Sequence, residues 1–129
     1  MIPIFGVIYL IDDMLLVWGG ENYGSWLDDT PITTSNINEK SKATLCTGIP
    51  ARFDSNNIDA IKDFNDIIFE FSKVRMLGSA ACSLVKVAQG SADVYWEQDI
   101  MLWDVAAGIP IVSGAKGEVR FAKANTKFK

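Results

Sequence analysis

From Lys42 onward the sequence alternates between short apolar segments and longer segments with helical periodicity. This alternation constrains the fold more than any other feature of the chain. KATLCTGI, VRML and ADVYWE have the length and composition of strands, and a helix-like segment separates each from the next. Strands joined in this way pair in a parallel or mixed sheet that helices cover. The order therefore predicts an α/β layered domain with a mixed sheet and flanking helices.

The helices differ in how clearly the sequence marks them. The segment IDAIKDFNDIIFEFSKV, predicted to be one helix that starts near Asn57, carries a single apolar stripe: Ile61, Phe64, Ile67 or Ile68, Phe71 and Val74. GSAACSLVKVAQG is predicted to be a helix of small residues, opened by Gly78 and Ser79 and closed by Gly90. DIMLWDVAAGIPIVSGA is expected to be mostly helical, and GEVRF is expected to form a last strand.

The first part of the chain has a different pattern. IPIFGVIYLIDDMLLVWGG predicts two strands around a turn at Asp12 and Asp13. The polar stretch that follows is expected to be loop, with a short strand near GSWLDD in which Asp28 and Asp29 are solvated turn acids. We therefore expect residues 1–41 to be the remnant of an antiparallel subdomain and residues 42–129 to be an α/β subdomain. A chain that begins inside a strand pair resembles a part of a larger fold.

Composition excludes several classes of function. The chain has no His, which rules out Ser-His-Asp and Cys-His nucleophile arrangements and His-containing zinc sites. Its net charge is −4 and its Lys and Arg residues are scattered, so we expect neither a nucleic acid nor a membrane as partner. Cys46 and Cys82 lie in apolar runs and are expected to be buried free thiols in a reducing compartment. With no apolar run of membrane-spanning length and no signal peptide, a cytoplasmic location is expected.

Three motifs occur in order within residues 75–121: Arg-x-x-Gly-Ser-Ala-Ala before a helix, Tyr-x-Glu at a strand end, and Trp-Asp-x-Ala-Ala-Gly at a helix start. Together they resemble the C-terminal signature region of the inositol monophosphatase family of magnesium-dependent phosphatases. FGVIY and GENYGSWLDDTPI resemble the two strands and the Gly-containing loop that come earlier in that family. The resemblance thus covers most of the chain.

The resemblance implies a role for two acids. Asp104 corresponds to a metal ligand, and Mg²⁺ prefers carboxylate and water oxygens; the alternative is that Asp104 only caps a helix. Glu97 corresponds to an acid that hydrogen-bonds a substrate hydroxyl, and the alternative is an exposed carboxylate at a strand end. Trp96 and Trp103 are expected to pack as core aromatics.

The same resemblance implies that Gly78, Ser79 and Ala80 contact the alcohol portion of the substrate. Backbone N–H groups at a helix N-terminus, with a hydroxyl beside them, suit a polar or anionic oxygen. The alternative for Ser79 is a plain N-cap.

The chain also departs from the family's pattern. It contains neither the Gly-x-x-Glu-Glu nor the Asp-Pro-x-Asp-Gly-Thr segment, which supply nearly all the metal ligands and the acid that activates water. Where the family usually has Glu-Ala-Gly-Gly, this chain has Gly114 in place of the acid and Lys116 in place of a Gly. The end, AKANTKFK, stops before the family's closing strand. One Asp holds Mg²⁺ only weakly, because the ion gives up its water reluctantly.

Two functions follow as expectations. The first is the C-terminal portion of a Mg²⁺-dependent phosphomonoesterase that hydrolyses a sugar- or inositol-phosphate and is incomplete on its own. Its expected partners are a small phosphorylated alcohol or sugar and either a second copy in a homodimer or a complementing N-terminal half. The second is a non-catalytic binding or assembly module derived from the same fold. An unrelated α/β domain would require all three motifs to coincide by chance.

Overall fold

A computed structural model describes residues 2–50 and 52–121. The first four strands form an antiparallel sheet in chain order: β1 (Gly6–Leu10), β2 (Leu15–Gly20), β3 (Gly24–Leu27) and β4 (Thr30–Ile32). β1 and β2 pair with Leu10 opposite Leu15, so the turn between them contains Asp12 and Asp13. The predicted strand pair and its turn are confirmed.

The strand β4 lies in a stretch that the sequence predicted to be loop. The turn before it is held by Asp28, which has a left-handed backbone (φ 49°) and whose Oδ1 accepts a hydrogen bond from Leu16 N at 3.0 Å. Pro31 lacks an N–H for the ladder but is tolerated because β4 lies at the edge of the described sheet. Asp28 and Asp29 are exposed turn acids, as predicted.

The second sheet is parallel and consists of β5 (Thr44–Thr47), β6 (Lys73–Arg75) and β7 (Val94–Trp96), with β5 in the centre. A short 3-10 helix at Lys40–Lys42 precedes β5. Helix α1 (Ile58–Ile68) connects β5 to β6, and α2 (Ala80–Ala88) connects β6 to β7. The helical region after β7 is divided into α3 (Leu102–Val105) and α4 (Gly108–Gly114). This arrangement confirms the α/β fold class with flanking helices.

Helix α1 starts where the sequence predicted but ends earlier. Asn57 caps it, because its Oδ1 accepts a hydrogen bond from Ala60 N at 3.1 Å. After Ile68 the chain bends back, and Ser72 N donates to Ala43 O at 3.0 Å, which draws the chain into the second sheet. Phe71 and Val74 therefore lie outside the helix, and Val74 belongs to β6. The prediction of one helix through Val74 was wrong, because sheet pairing takes precedence over the local apolar period.

Residues 117–121, predicted as a last strand, have no strand conformation. Gly117 N donates instead to Val112 O at 2.9 Å, so the segment is tied to the end of α4. Val119 packs against the core as a partly buried side chain. A strand needs a ladder partner, and the described residues offer none to this segment.

One hydrophobic core connects the two sheets. It includes Ile8 and Val17 from the first sheet, Val85 from α2, and Ile111 from α4. Helix α4 packs on the inner face of the first sheet, where Ser25 Oγ donates to Ile111 O at 2.5 Å. None of the helices within residues 2–50 and 52–121 has the length and hydropathy of a membrane span.

Candidate functional site

The carboxyl ends of the three parallel strands meet at one edge of the second sheet. Gly48 directly follows β5 and Glu97 directly follows β7, and the pairing of Thr47 with Trp96 places these two residues side by side. The loop after β6 leads to Gly78 and into α2. Because the chain passes from β5 to β6 on one side and then crosses to β7 on the other, a crevice opens at this edge. Such a switch point is where open α/β sheets bind ligands.

A pocket of about 570 Å³ occupies this crevice. All five residues that the sequence predicted as site residues line it, so the structure brings together segments far apart in the chain. Its lining is Thr47, Gly48, Ile49, Gly78, Ser79, Ala80, Ala81, Ser83, Glu97, Ile100, Trp103 and Asp104.

Ser79 forms the N-cap of α2. Its Oγ accepts a hydrogen bond from Cys82 N at 3.2 Å, and its carbonyl oxygen accepts one from Ser83 Oγ at 2.9 Å. Gly78 has φ +71°, a left-handed conformation that favours glycine. The capping interpretation is confirmed. Since Ser79 Oγ accepts through a lone pair, its hydroxyl hydrogen is still available to donate into the pocket.

Glu97 is held from two sides at the end of β7. Tyr95 Oη donates a hydrogen bond to Glu97 Oε2 at 2.8 Å. A Cβ atom added to Gly48 would lie 2.7 Å from Glu97 Oε1, so only a glycine leaves the carboxylate in this position. Glu97 is half-buried, and the alternative of an exposed strand-end carboxylate was wrong.

The hydroxyl of Tyr95 stays protonated. Burial raises its pKa well above the ordinary value, and the hydrogen bond to Glu97 and the negative charges of Glu97 and Asp104 raise it further. Tyr95 therefore remains a donor to Glu97 at any physiological pH.

Asp104 is not a helix cap. Met101 is the N-cap of α3, and Asp104 N donates to Met101 O at 3.0 Å from inside the first turn. The carboxylate belongs to an exposed residue that lines the pocket. The capping alternative for Asp104 was wrong, because the N-cap of α3 is Met101 and Asp104 lies within the helix.

The two tryptophans near the pocket have different environments. Trp103 is 66% exposed and lines the pocket, so the prediction that it packs in the core was wrong. Trp96 is half-buried, and its ring lies 6.0 Å from that of Phe64 on α1. The first turn of α3 presents Trp103 and Asp104 together at the pocket, which the local sequence did not indicate.

Both cysteines are free. Cys46 is buried in β5, and burial raises the pKa of its thiol, although the charges of Arg75 and Lys86 oppose this. Cys82 is only half-buried at the start of α2, so the expectation of two buried thiols holds for Cys46 alone. A buried thiol with a raised pKa is unreactive.

Sequence reasoning missed the pocket residues that follow or end β5, namely Thr47, Gly48 and Ile49. Thr47 Oγ1 donates to Trp96 O at 2.6 Å and links β5 to β7 at the floor of the pocket. Their position at the end of the predicted strand KATLCTGI could have indicated them, because residues at the carboxyl end of a central parallel strand lie at the ligand-binding edge.

The carboxylate oxygens at the pocket are the type of ligand that a hard cation prefers, but there are too few of them to hold one. Asp104 and Glu97 are the pocket's carboxylates, and Mg²⁺ favours such ligands. Within residues 2–50 and 52–121, no group of three or more His, Cys, Asp or Glu side chains is arranged to hold a metal ion. These residues alone do not form a Mg²⁺ site.

Comparison with known proteins decides the family. Residues 1–128 match the sequence profile of the inositol monophosphatase family. The chain belongs to this family. It is 33% identical over 120 residues to an inositol monophosphatase of Mesembryanthemum crystallinum, covering 92% of this chain and 44% of that protein. It is 30% identical over 115 residues to a fructose-1,6-bisphosphatase/inositol-1-monophosphatase of Aquifex aeolicus, covering 89% of this chain and 44% of that protein.

Solved structures of the family share the fold. The inositol monophosphatase of Anabaena superposes with a TM-score of 0.78 at 35% identity, covering 88% of this chain and 45% of that one. SuhB of Mycobacterium tuberculosis superposes with a TM-score of 0.79 at 28% identity, covering 89% and 48%. This family member therefore spans less than half the length of its relatives.

The two departures from the family's pattern, at the last residue of α4 and just beyond it, have structural consequences. A Cβ atom on Gly114 would lie 2.5 Å from Ser25 Oγ and 2.6 Å from Gly20 O, so this chain has no room for a side chain there. Lys116 has φ +69°, a conformation that a glycine adopts without strain. The change from an acid to Gly114 thus accompanies close packing of α4 on the first sheet.

We expect Ser79→Ala to lower the free energy of unfolding by about 1 kcal/mol, because α2 loses its N-cap hydrogen bond. Asp104→Ala is the matched control in the same pocket, and its effect should stay within about 0.5 kcal/mol because Asp104 is exposed and caps no helix. Urea denaturation followed by circular dichroism measures both. Equal losses for the two variants would contradict the assignment of Ser79 as the cap.

Proposed function

We propose that this chain is the C-terminal portion of a Mg²⁺-dependent phosphomonoesterase that hydrolyses a sugar- or inositol-phosphate and is incomplete on its own. The observation that carries the proposal is the convergence of Gly78, Ser79, Ala80, Glu97 and Asp104 on one pocket in a member of the inositol monophosphatase family. The names of two relatives, inositol monophosphatase and fructose-1,6-bisphosphatase/inositol-1-monophosphatase, support this substrate class.

The roles of the pocket residues follow from their contacts. Glu97 accepts a hydrogen bond from a hydroxyl of the substrate alcohol. Tyr95 holds its carboxylate by a hydrogen bond, and the absence of a side chain at Gly48 leaves room for it. Ser79 and the first N–H groups of α2 donate to substrate oxygens, with Gly78 and Ala80 leaving room for the sugar or inositol ring. Trp103 offers an exposed apolar surface at the rim of the pocket.

Asp104 contributes one oxygen ligand to the Mg²⁺ site, and the remaining ligands come from family sequence outside these 129 residues. When bound, the metal supplies Lewis-acid polarisation of the phosphate and a lowered pKa for the attacking water. The backbone of the first turn of α3 orients the Asp104 carboxylate. A fixed orientation suits a metal ligand that must combine with ligands from another segment.

We further propose that residues 1–41 and 42–129 correspond to parts of two subdomains of the complete fold. The proposed location is the cytoplasm, which agrees with two free cysteines. The proposed partners are a small phosphorylated alcohol or sugar and a complementing family segment or a second copy of the chain.

A second candidate function is a non-catalytic binding or assembly module. The observation that favours it is the number of acids, because the described residues hold no group of three potential metal ligands. Such a module would keep the pocket for a sugar- or inositol-phosphate without hydrolysing it.

Phosphate release from inositol 1-phosphate and fructose 1,6-bisphosphate, with and without Mg²⁺, tests the proposal. We expect no turnover by the chain alone, and Mg²⁺-dependent turnover when it is co-expressed with the segment of the Anabaena relative that lies outside the matched region. Asp104→Asn should then lower kcat by about 100-fold or more, since loss of a metal ligand removes several kcal/mol of transition-state stabilisation. Asp63→Asn, on the exposed surface of α1, is the control and should leave kcat unchanged.

Turnover by the chain alone that disappears in Asp104→Asn would contradict the claim that the chain is incomplete. A complex that binds inositol 1-phosphate in calorimetry without hydrolysing it would favour the binding module.

A further inference from the structure

The carboxylate of Glu97 lies flat against the end of β5. A Cβ atom built on Gly48 would lie 2.7 Å from Glu97 Oε1, 2.8 Å from Oε2 and 2.8 Å from Cδ. Because the three distances are nearly equal, this point stands over the flat face of the carboxylate and not beside one of its edges. The space that the glycine leaves is therefore filled by the face of the carboxylate, and the edges stay outside it.

The edges of a carboxylate carry its hydrogen-bonding sites, since donors approach near its plane along the lone-pair directions of the oxygens. Tyr95 takes one of these sites, because its Oη donates to Glu97 Oε2 at 2.8 Å. Among the residues that the structure describes, none donates a hydrogen bond to Glu97 Oε1. Since Glu97 lines the pocket, Oε1 is the carboxylate oxygen that is left for a hydroxyl there.

The backbone that carries Glu97 is also fixed from β5. Thr47 is 2% exposed, and its Oγ1 donates to Trp96 O at 2.6 Å, so the peptide group between Trp96 and Glu97 is tied to the central strand. Rotation of the Glu97 side chain is then the main way in which Oε1 can move. Tyr95 and Gly48 restrict that rotation, the first by a hydrogen bond and the second by the space that it leaves.

The hydroxyl of Tyr95 contributes little to the pairing of the strands. β5 and β7 are joined by their parallel ladder and by the bond from Thr47 to Trp96. The Tyr95 hydroxyl bonds only a side chain on its own side of that ladder, two residues along the chain. Its removal should therefore change where the Glu97 carboxylate lies without changing the sheet.

We propose that Tyr95 and Gly48 are positioning residues that set the selectivity of the pocket for the alcohol part of its substrate, by holding Glu97 so that Oε1 accepts a hydrogen bond from one ring hydroxyl. This inference rests on the proposed function and adds a reason for the pocket to prefer a polyhydroxylated alcohol. A ligand without that hydroxyl leaves a charged oxygen unpaired, which is costly. Tyr95 does not line the pocket and so acts only through Glu97.

The test compares two ligands of the complex between the full chain and the Anabaena segment that lies outside the matched region. Inositol 1-phosphate carries free hydroxyls, and phenyl phosphate carries none. KM and kcat are measured where the complex hydrolyses the ligand, and the Kd is measured by calorimetry where it only binds it. An affinity is thus obtained whether or not the complex is active.

Tyr95→Phe is expected to weaken the binding of inositol 1-phosphate by about tenfold, because Glu97 loses the hydrogen bond that holds it. The kcat and the affinity for phenyl phosphate should stay unchanged. Tyr9→Phe, at an exposed tyrosine of β1, is the matched control and should alter the affinity for neither ligand.

Gly48→Ala is expected to have the same selective effect, again about tenfold, without destabilising the sheet. The three atoms nearest to the added methyl group all belong to the Glu97 side chain, which can rotate away. The urea midpoint of Gly48→Ala should therefore equal that of the unchanged chain, while its affinity for inositol 1-phosphate falls.

The same two substitutions in a Glu97→Ala background separate positioning from a general structural role. Once the acceptor is gone, neither Tyr95→Phe nor Gly48→Ala should weaken binding further. Additional weakening in that background, or equal weakening for both ligands, would overturn the inference, as would an unsubstituted complex with no preference for inositol 1-phosphate. A preference that depends on Tyr95 in a complex that releases no phosphate would support the inference while contradicting the proposed activity.

Discussion

Gly6→Ala is expected to lower the free energy of unfolding by about 3 kcal/mol or more. The added methyl group would overlap the backbone carbonyl of Ala107, at the start of α4. A backbone atom cannot move aside as the end of a flexible side chain can, so α4 must shift off the first sheet. Urea denaturation followed by tryptophan fluorescence measures the loss.

Gly78→Ala is the matched control, because it adds the same methyl group where no atom lies within 4 Å. Its cost should be about 1 kcal/mol, arising from the left-handed backbone alone (φ +71°). If the two variants lost equal stability, the clash with Ala107 would not be the cause.

Ile111→Ala is expected to destabilise the chain by about 2–5 kcal/mol, because its side chain is 1% exposed and the space it leaves cannot close. Ile111 belongs to the core cluster that also includes Val17 of the first sheet and Val85 of α2. Unfolding should therefore remain one transition, with fluorescence and far-ultraviolet circular dichroism shifted to the same lower urea midpoint.

Ile58→Ala, at a position that is 77% exposed at the start of α1, controls for the change in side chain and should cost less than about 0.5 kcal/mol. Two separate transitions in Ile111→Ala would show that the sheets unfold independently and would contradict a shared core.

Local patterns determined several elements correctly. The strand pair around Asp12 and Asp13, the start of α1 at Asn57, and the small-residue helix after Ser79 depend on neighbouring residues, so their sequence signals are direct. The three ordered motifs within residues 75–121 also pointed to the family that the profile match shows. Short-range periodicity, capping and motif order are properties that a sequence carries by itself.

Other features depended on which segments meet in space. The end of α1 at Ile68 is set by the hydrogen bond from Ser72 to Ala43, and residues 117–121 are tied to α4 instead of forming a strand. The bond from Ser72 to Ala43 joins residues far apart in the chain, and a strand at residues 117–121 would need a ladder partner from another segment. Local propensity includes neither.

The fold class, the family and the residue types that could form a site follow from the order of residues in the chain. The folded chain was needed to show that Gly48 lies beside Glu97, that Trp103 and Asp104 line the same pocket, and that the first sheet has an apolar face without a covering layer in the described residues. These features arise because parallel pairing aligns the strand ends and because α4 covers only one side of the first sheet. Both depend on long-range packing, which is decided by shape and burial rather than by the order of neighbouring residues.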